Sequence, residues 1–144
     1  MPVTREDEVV VLYALYCCDG SATKQRTISF ILTNDLLQAQ PGDEDVVSSR
    51  ELRVANRIAW TRQNLKNKGQ LSMPQRGTWK LTDTGRERLF RAVELFQTGR
   101  EGGRAILDDL VWDRFSPTFL GRLRDLGAKA PGLDGPNVSV GPSR

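Results

Sequence analysis

Apolar residues recur along the first hundred positions with two periods, and the switches between them divide the chain into elements. From Thr4 to Cys18, Val9, Leu12, Tyr13 and Tyr16 fall at the three-and-four spacing of an amphipathic helix, with Thr4 and Asp7 at its start and Gly20 as its stop. A second helix is predicted from about Ala22 to Leu37 with Ile28, Ile31 and Leu32 inward, although the β-branched content of "TISFILT" also permits a strand. Gln38 to Ser49 carries proline, glycine and an acidic cluster and reads as a loop. The third helix, from about Ser49 to Lys68, closes on Gly69 after a basic last turn. At 100° per residue its Val54, Ile58, Thr61 and Leu65 lie within about 60° of one another, a buried stripe.

Beyond Gly69 the period shortens to two. Leu71 to Met73 and Thr78 to Leu81 flank "PQRG" as a two-strand ribbon, with Trp79 pointing to the core and Lys80 outward. Thr82 is placed to cap a fourth helix running to about Gln97, with Leu89, Val93 and Phe96 as its inward stripe. Two short helices follow, Arg104 to Phe115 and a segment with Ser116 as cap, Pro117 in its first turn and Gly127 as terminator. Their Ile106, Leu110, Trp112, Phe115, Phe119 and Leu123 are more apolar surface than isolated helices leave in water, so they must cover the main domain or a second copy of themselves. Residues 128–144, rich in proline and glycine, read as a flexible tail. The fold class is mainly α with a small β-ribbon, divided into a main domain at 1–98, a helical extension at 99–127 and the tail at 128–144.

Composition removes several chemistries. There is no histidine, and the only cysteines are the adjacent Cys17 and Cys18, which exclude zinc-type ligand spacing and a Cys/His or Ser/His pair. One of the two is expected to pack inward as a small apolar group. No metal or cofactor is implied. No apolar run approaches the roughly 20 residues that span a bilayer, and "MPVTREDEVVV" puts acids where a secretory signal carries bases, so a cytoplasmic location is expected.

Charge changes the picture more. The chain carries a net charge of only +3, yet Arg50 to Arg91 holds eleven basic residues against Glu51, Asp83 and Glu87, a local balance of +8 inside an otherwise acidic sequence. Such localisation points to a polyanion as partner. Opposite the buried stripe, the third helix presents Asn56, Ala59, Gln63 and Asn67, with Arg53 and Arg57 on one flank and Arg62 and Lys66 on the other. Amides pair with adenine in a major groove, arginine pairs with guanine, and cationic flanks reach phosphates. Trp60 stands beside this face; a tryptophan there more often packs under a neighbouring element than on a base. In the ribbon, Gln75 and Arg76 sit at the turn, Gly77 tolerates a positive backbone angle, and Lys80 follows.

"NRIAWTRQNLKNKGQL" followed by "RGTWKLTDTG" resembles the N-terminal winged-helix domain of the Mrr restriction-system family. The matching positions are Asn56, Arg57, Ile58, Trp60, Leu65, Lys66, Gly69, Leu71, Arg76, Gly77, Leu81, Thr82 and Gly85, with departures at Thr61 and Ser72. The resemblance implies a winged helix-turn-helix that binds duplex DNA, the third helix in the major groove and the hairpin as the wing. It does not imply cleavage: in that family a separate downstream domain carries the nuclease residues, and the segment after Gly99 reads as helical and too short for one.

The expectation is therefore a non-enzymatic binder of double-stranded DNA, a transcription regulator or the recognition module of a defence or mobile-element system, sensitive to sequence or base modification. Its expected contacts are Arg50, Arg53, Asn56, Arg57, Trp60, Gln63, Gln75, Arg76 and Lys80, with Asn56 and Arg53 reading bases and Arg57, Arg76 and Lys80 clamping the backbone. Homodimerisation through residues 104–127 is a further expectation. The alternatives are a winged-helix adaptor for an acidic protein and, less suited to this helix, an RNA whose deep groove it cannot read.

Overall fold

A computed structural model of the chain describes residues 4–38, 47–99 and 110–129, with the side chains of the middle stretch described from Arg53 to Gln97. Its elements are α1 (Arg5–Cys17), β1 (Ser21–Thr23), α2 (Lys24–Thr33), α3 (Val47–Asn67), β2 (Leu71–Gln75), β3 (Thr78–Leu81), α4 (Asp83–Glu94) running into a π turn (Leu95–Gly99), a 3-10 turn (Trp112–Arg114) and α5 (Pro117–Lys129). The architecture is mainly helical around one three-stranded antiparallel sheet of order β1-β3-β2. β1 is an addition to the predicted ribbon: Ala22 pairs with Trp79 and Thr23 with Thr78, so two residues expected to open α2 instead join Ser21 in a strand. Three residues give no periodic signal by themselves; the strand exists because β3 offers an unpaired edge. β2 carries Pro74 next to an irregularity in its register with β3, which an edge strand tolerates.

The hub is α1, and it is not amphipathic as its spacing suggests. Val9 through Leu15 are all buried, which marks a helix enclosed on every side. It contacts α2, α3, α4, β1 and β3, and Tyr13 meets Phe119 of α5 edge-on at 5.3 Å between ring centroids. Thr4 caps it by accepting from the Asp7 amide. Cys18 is buried and Cys17 exposed, so one of the two cysteines does pack inward. α2 begins on Thr23, whose side chain accepts from the Arg26 amide.

A single hydroxyl joins the third and fourth helices. Gly69, at φ +74°, lets α3 end with the Gln70 amide donating back to the Leu65 carbonyl. Thr82 then donates to the Gly69 carbonyl at 2.7 Å and accepts from the Gly85 amide at 3.1 Å, capping α4 while fastening it to the end of α3. Gly85 is there because nothing larger fits: an added Cβ would lie 2.1 Å from the Gln70 carbonyl oxygen and 3.0 Å from Leu12 Cδ2.

The C-terminal side chains turn inward. Phe119 and Leu123 are fully buried in the same core as α1 and α4, and an aromatic series runs from Phe96 through Trp112 and Phe115 to Phe119. Ser116 caps α5 and donates to the Asp35 carbonyl, and Arg122 donates to Asn34 Oδ1 at 2.7 Å, tying α5 to the end of α2. Of the apolar side chains expected to cover something, Leu110, Phe115, Phe119 and Leu123 are buried in their own chain, whereas Ile106 lies outside the described residues. Most of the helix predicted from Arg104 lies outside the described residues, and its described end is a 3-10 turn. Gly127 does not terminate α5, which runs on to Lys129; it is buried where a Cβ would meet the Gln97 side chain and Val93. Residues 130–144, most of the predicted tail, lie outside the described residues, as does 39–46 of the acidic loop.

Three consecutive acids at the start of α1, Glu6, Asp7 and Glu8, are buried. Glu6 accepts from the Val111 amide at 2.8 Å and faces Arg114 at 3.6 Å; Asp7 binds Arg57 on α3; Glu8 binds Lys68 and Arg88.

Two contrasts test these assignments by urea unfolding. Asp7→Asn, which leaves Arg57 buried without its counter-charge, should cost about 3–5 kcal/mol, whereas Lys68→Met, at the exposed end of the network, should cost under about 1 kcal/mol. Gly85→Ala should cost about 1–3 kcal/mol through overpacking. Gly121→Ala, in α5 with nothing within 4 Å of the new methyl, should instead add about 0.5–1 kcal/mol.

Candidate nucleic-acid interface

α3 divides cleanly into two faces. Val54, Ile58, Thr61 and Leu65 are buried as their spacing requires, and the Thr61 hydroxyl satisfies itself on the Arg57 carbonyl at 2.8 Å. On the far side Asn56, Trp60, Lys66 and Asn67 are exposed, with Arg53, Ala59, Gln63 and Asn64 half-buried between. From Arg53 to Lys68 the sequence has no carboxylate, so the helix itself supplies no acid beside the bases and amides of this surface. Arg50 lies on α3, but its side chain falls outside those described.

Arg57 is not part of that surface. Its side chain is 4% exposed, its Nε and Nη2 each donate to an Asp7 carboxylate oxygen at 2.9 Å, and its Nη1 donates to the Gln38 carbonyl at 3.2 Å. Every nitrogen of the guanidinium is engaged, which withdraws Arg57 from the expected role of backbone clamp. It sits one turn from both Val54 and Thr61, so its place beside the apolar stripe was readable. Its partner, 50 positions away, was not.

Trp60 corrects the packing expectation in the opposite direction: it is 61% exposed, as its place among the expected contacts requires. Gln63 is on the outward face but occupied, since its Oε1 accepts from Arg62 Nη1 at 2.8 Å while its Nε2 donates to Asn67 Oδ1 at 3.1 Å. Arg62, expected on a cationic flank but not named among the nine contacts, lies over the Trp79 ring of β3 at 5.9 Å.

The wing has the expected form. Gln75 and Arg76 are exposed at the turn, Gly77 takes φ +79°, and the Gly77 carbonyl accepts from the Lys24 amide, which holds the tip to the start of α2. Trp79 is buried and Lys80 exposed. In register with Ser21 and Ser72, Lys80 stands on the face of the sheet opposite Trp79 and its α3 neighbour Arg62. The structure thus gathers Asn56, Trp60, Gln63 and Asn67 on one helix face, sets Gln75 and Arg76 on a separate projection, and leaves Lys80 behind the sheet.

Although Cys17 is exposed at the surface, partial desolvation raises its thiol above the ordinary value, which disfavours the thiolate. Among the described residues no group of acids and cysteines could hold a metal ion, and no helix is long and apolar enough to cross a membrane.

Three helices, a helix-to-helix step into α3, and a hairpin directly behind it define a winged helix-turn-helix. The chain belongs to the family of the Mrr N-terminal domain, whose family model matches residues 11–91, from within α1 to within α4. That domain belongs to the restriction-system protein's N-terminal part and not to its catalytic part. No curated protein and no solved structure matches the chain.

The three tryptophans test the exposure of the outward face. Acrylamide should quench mainly Trp60 emission, since Trp79 is buried and Trp112 half-buried. Trp60→Phe should remove most of the quenchable signal while shifting stability by no more than about 0.5 kcal/mol.

Proposed function

We propose that this domain binds duplex DNA, with the outward face of α3 in the major groove and the Gln75–Arg76 turn against the neighbouring backbone. The observation that carries the reading is what remains of the family-like motif once packing is accounted for. Of its thirteen positions, nine have structural reasons. Ile58, Leu65, Leu71 and Leu81 fill the core, Arg57 pairs with Asp7, Gly69 and Gly77 take positive φ, Thr82 caps α4, and Gly85 admits the Gln70 carbonyl. The other four, Asn56, Trp60, Lys66 and Arg76, are exposed and make no side-chain hydrogen bond or ion pair among the described residues.

Those four are suited to a duplex. The Asn56 amide has the donor and acceptor that pair with adenine N7 and N6, Trp60 offers an apolar plane to base edges, and Lys66 and Arg76 supply charge toward phosphates. Arg53 stands one turn before Asn56 on the flank of the same face. The role that follows is a DNA-recognition module of a restriction or other defence system, or a transcription regulator, with the chemistry of cleavage supplied elsewhere. An exposed tryptophan is also what a protein-docking hot spot uses, so an adaptor for an acidic protein is the second reading.

Fluorescence anisotropy with a mixed-sequence duplex at several salt concentrations separates them. DNA binding should weaken steeply with salt, with Arg76→Glu lowering the slope of log affinity against log salt by about 1. Trp60→Ala should reduce affinity at every salt concentration and leave the slope alone. An affinity that ignores salt, or no binding at about 50 mM salt, would sink the DNA reading.

A further inference from the structure

The two central arginines of α3 have opposite fates. Arg57 is neutralised by Asp7, whereas Arg62, five residues on, has no carboxylate partner among the described residues. Everything that holds Arg62 is neutral. The Trp79 ring lies beneath its guanidinium at 5.9 Å, Gln63 Oε1 accepts from its Nη1 at 2.8 Å, and Asn67 Oδ1 in turn fixes the Gln63 amide. Its Nε is buried without an acceptor. A cation fixed by an aromatic face and an amide relay keeps its whole charge while losing its rotational freedom, and an anion is what such a group lacks.

We propose that Arg62 is a phosphodiester clamp at the seam between α3 and the wing, oriented by Trp79 and by the Gln63–Asn67 relay. The assignment rests on the duplex-binding reading and deepens it. An α-helix nearly fills the width of a major groove, so residues on its flanks meet the phosphates along the groove rim. Arg62 lies on the flank of α3 that faces the sheet, with exposed Lys66 one turn further along the same flank. A backbone strand passing between the helix and the wing therefore runs over this guanidinium. Gln63, whose amide is committed on both sides, serves as a positioning residue and not as a reader of bases.

The experiment is salt-dependent anisotropy on the full chain with a mixed-sequence duplex, comparing Arg62→Met, Arg62→Lys and Arg76→Glu, each with its melting temperature. Arg62→Met keeps the aliphatic cover on Trp79 and removes the charge, so it should melt like the wild type while its salt slope falls by about 0.9. Arg62→Lys should keep the wild-type slope with lower affinity, because it retains charge without the fixed fork. An unchanged slope in Arg62→Met alongside a reduced slope in Arg76→Glu would reduce Arg62 to a cover for Trp79 and overturn the clamp, with duplex binding intact. Should Arg62→Met melt early, a lower slope in Arg62→Lys would equally overturn it. Absence of binding by the wild type would remove the duplex reading itself.

Discussion

Three adjacent carboxylates at the start of α1 tie it to α3, to α4 and to the segment leading into α5. Glu6 holds the segment leading into α5, Asp7 holds α3, and Glu8 holds the end of α3 and, through Arg88, the middle of α4. Placing them in the first helical turn is electrostatically favourable, since the amides there point outward with partial positive charge. Burying them is not favourable by itself, and ion pairs of this kind often contribute less than apolar packing of the same volume would. Their effect here is directional. A bidentate pair between Arg57 and Asp7 tolerates little rotation of α3 about its axis, and Asn56, the neighbouring residue about 100° around the helix, is thereby turned to solvent.

The same network decides which charges remain for a partner. The basic block from Arg50 to Arg91 seemed uniform as a string of letters, but Arg57, Lys68 and Arg88 are spent on Asp7 and Glu8, and Arg91 faces Glu94. Among the described residues Lys66, Arg76, Lys80 and Arg86 are exposed without a carboxylate partner and Arg62 is half-buried without one; all but Arg86, which lies on α4 over Tyr16, belong to α3 and the wing. Concentration of charge in sequence and concentration on the surface are different quantities. What connects them is whether an acid from elsewhere in the chain is buried against the block.

This separates what the sequence made legible from what it did not. Local chemistry was readable: the stripe of Val54, Ile58, Thr61 and Leu65, the cap at Thr82, the left-handed Gly69 and Gly77, and the opposite facing of Trp79 and Lys80 all depend on residues within a few positions. Features that depend on distant neighbours were not. β1 needs the edge of β3, Gly127 sits inside α5 because Val93 and Gln97 crowd it, and α1 is apolar all round because five other elements enclose it. At the site, Asn56 and Arg76 emerged where expected because nothing competes for them. Arg57 is withdrawn because a carboxylate fifty positions earlier claims it, and Trp60, weighed as packed although named among the contacts, is exposed because it is not covered by a described element.

The stretch that matches the Mrr N-terminal domain, residues 11–91, contains Arg57, Lys68 and Arg88 but neither of the two acids, Asp7 and Glu8, that neutralise them. It also omits α5, whose Phe119 and Leu123 complete the core against Tyr13 and α4. Trimmed to the matched range, the fold would keep two buried guanidinium groups without counter-charges and expose the inner face of α1. The physical unit in this chain therefore extends beyond the recognisable one on both sides. Asp7 lies off the outward face of α3 and fixes the roll of the helix through Arg57, so a change at Asp7 would alter that face through position alone.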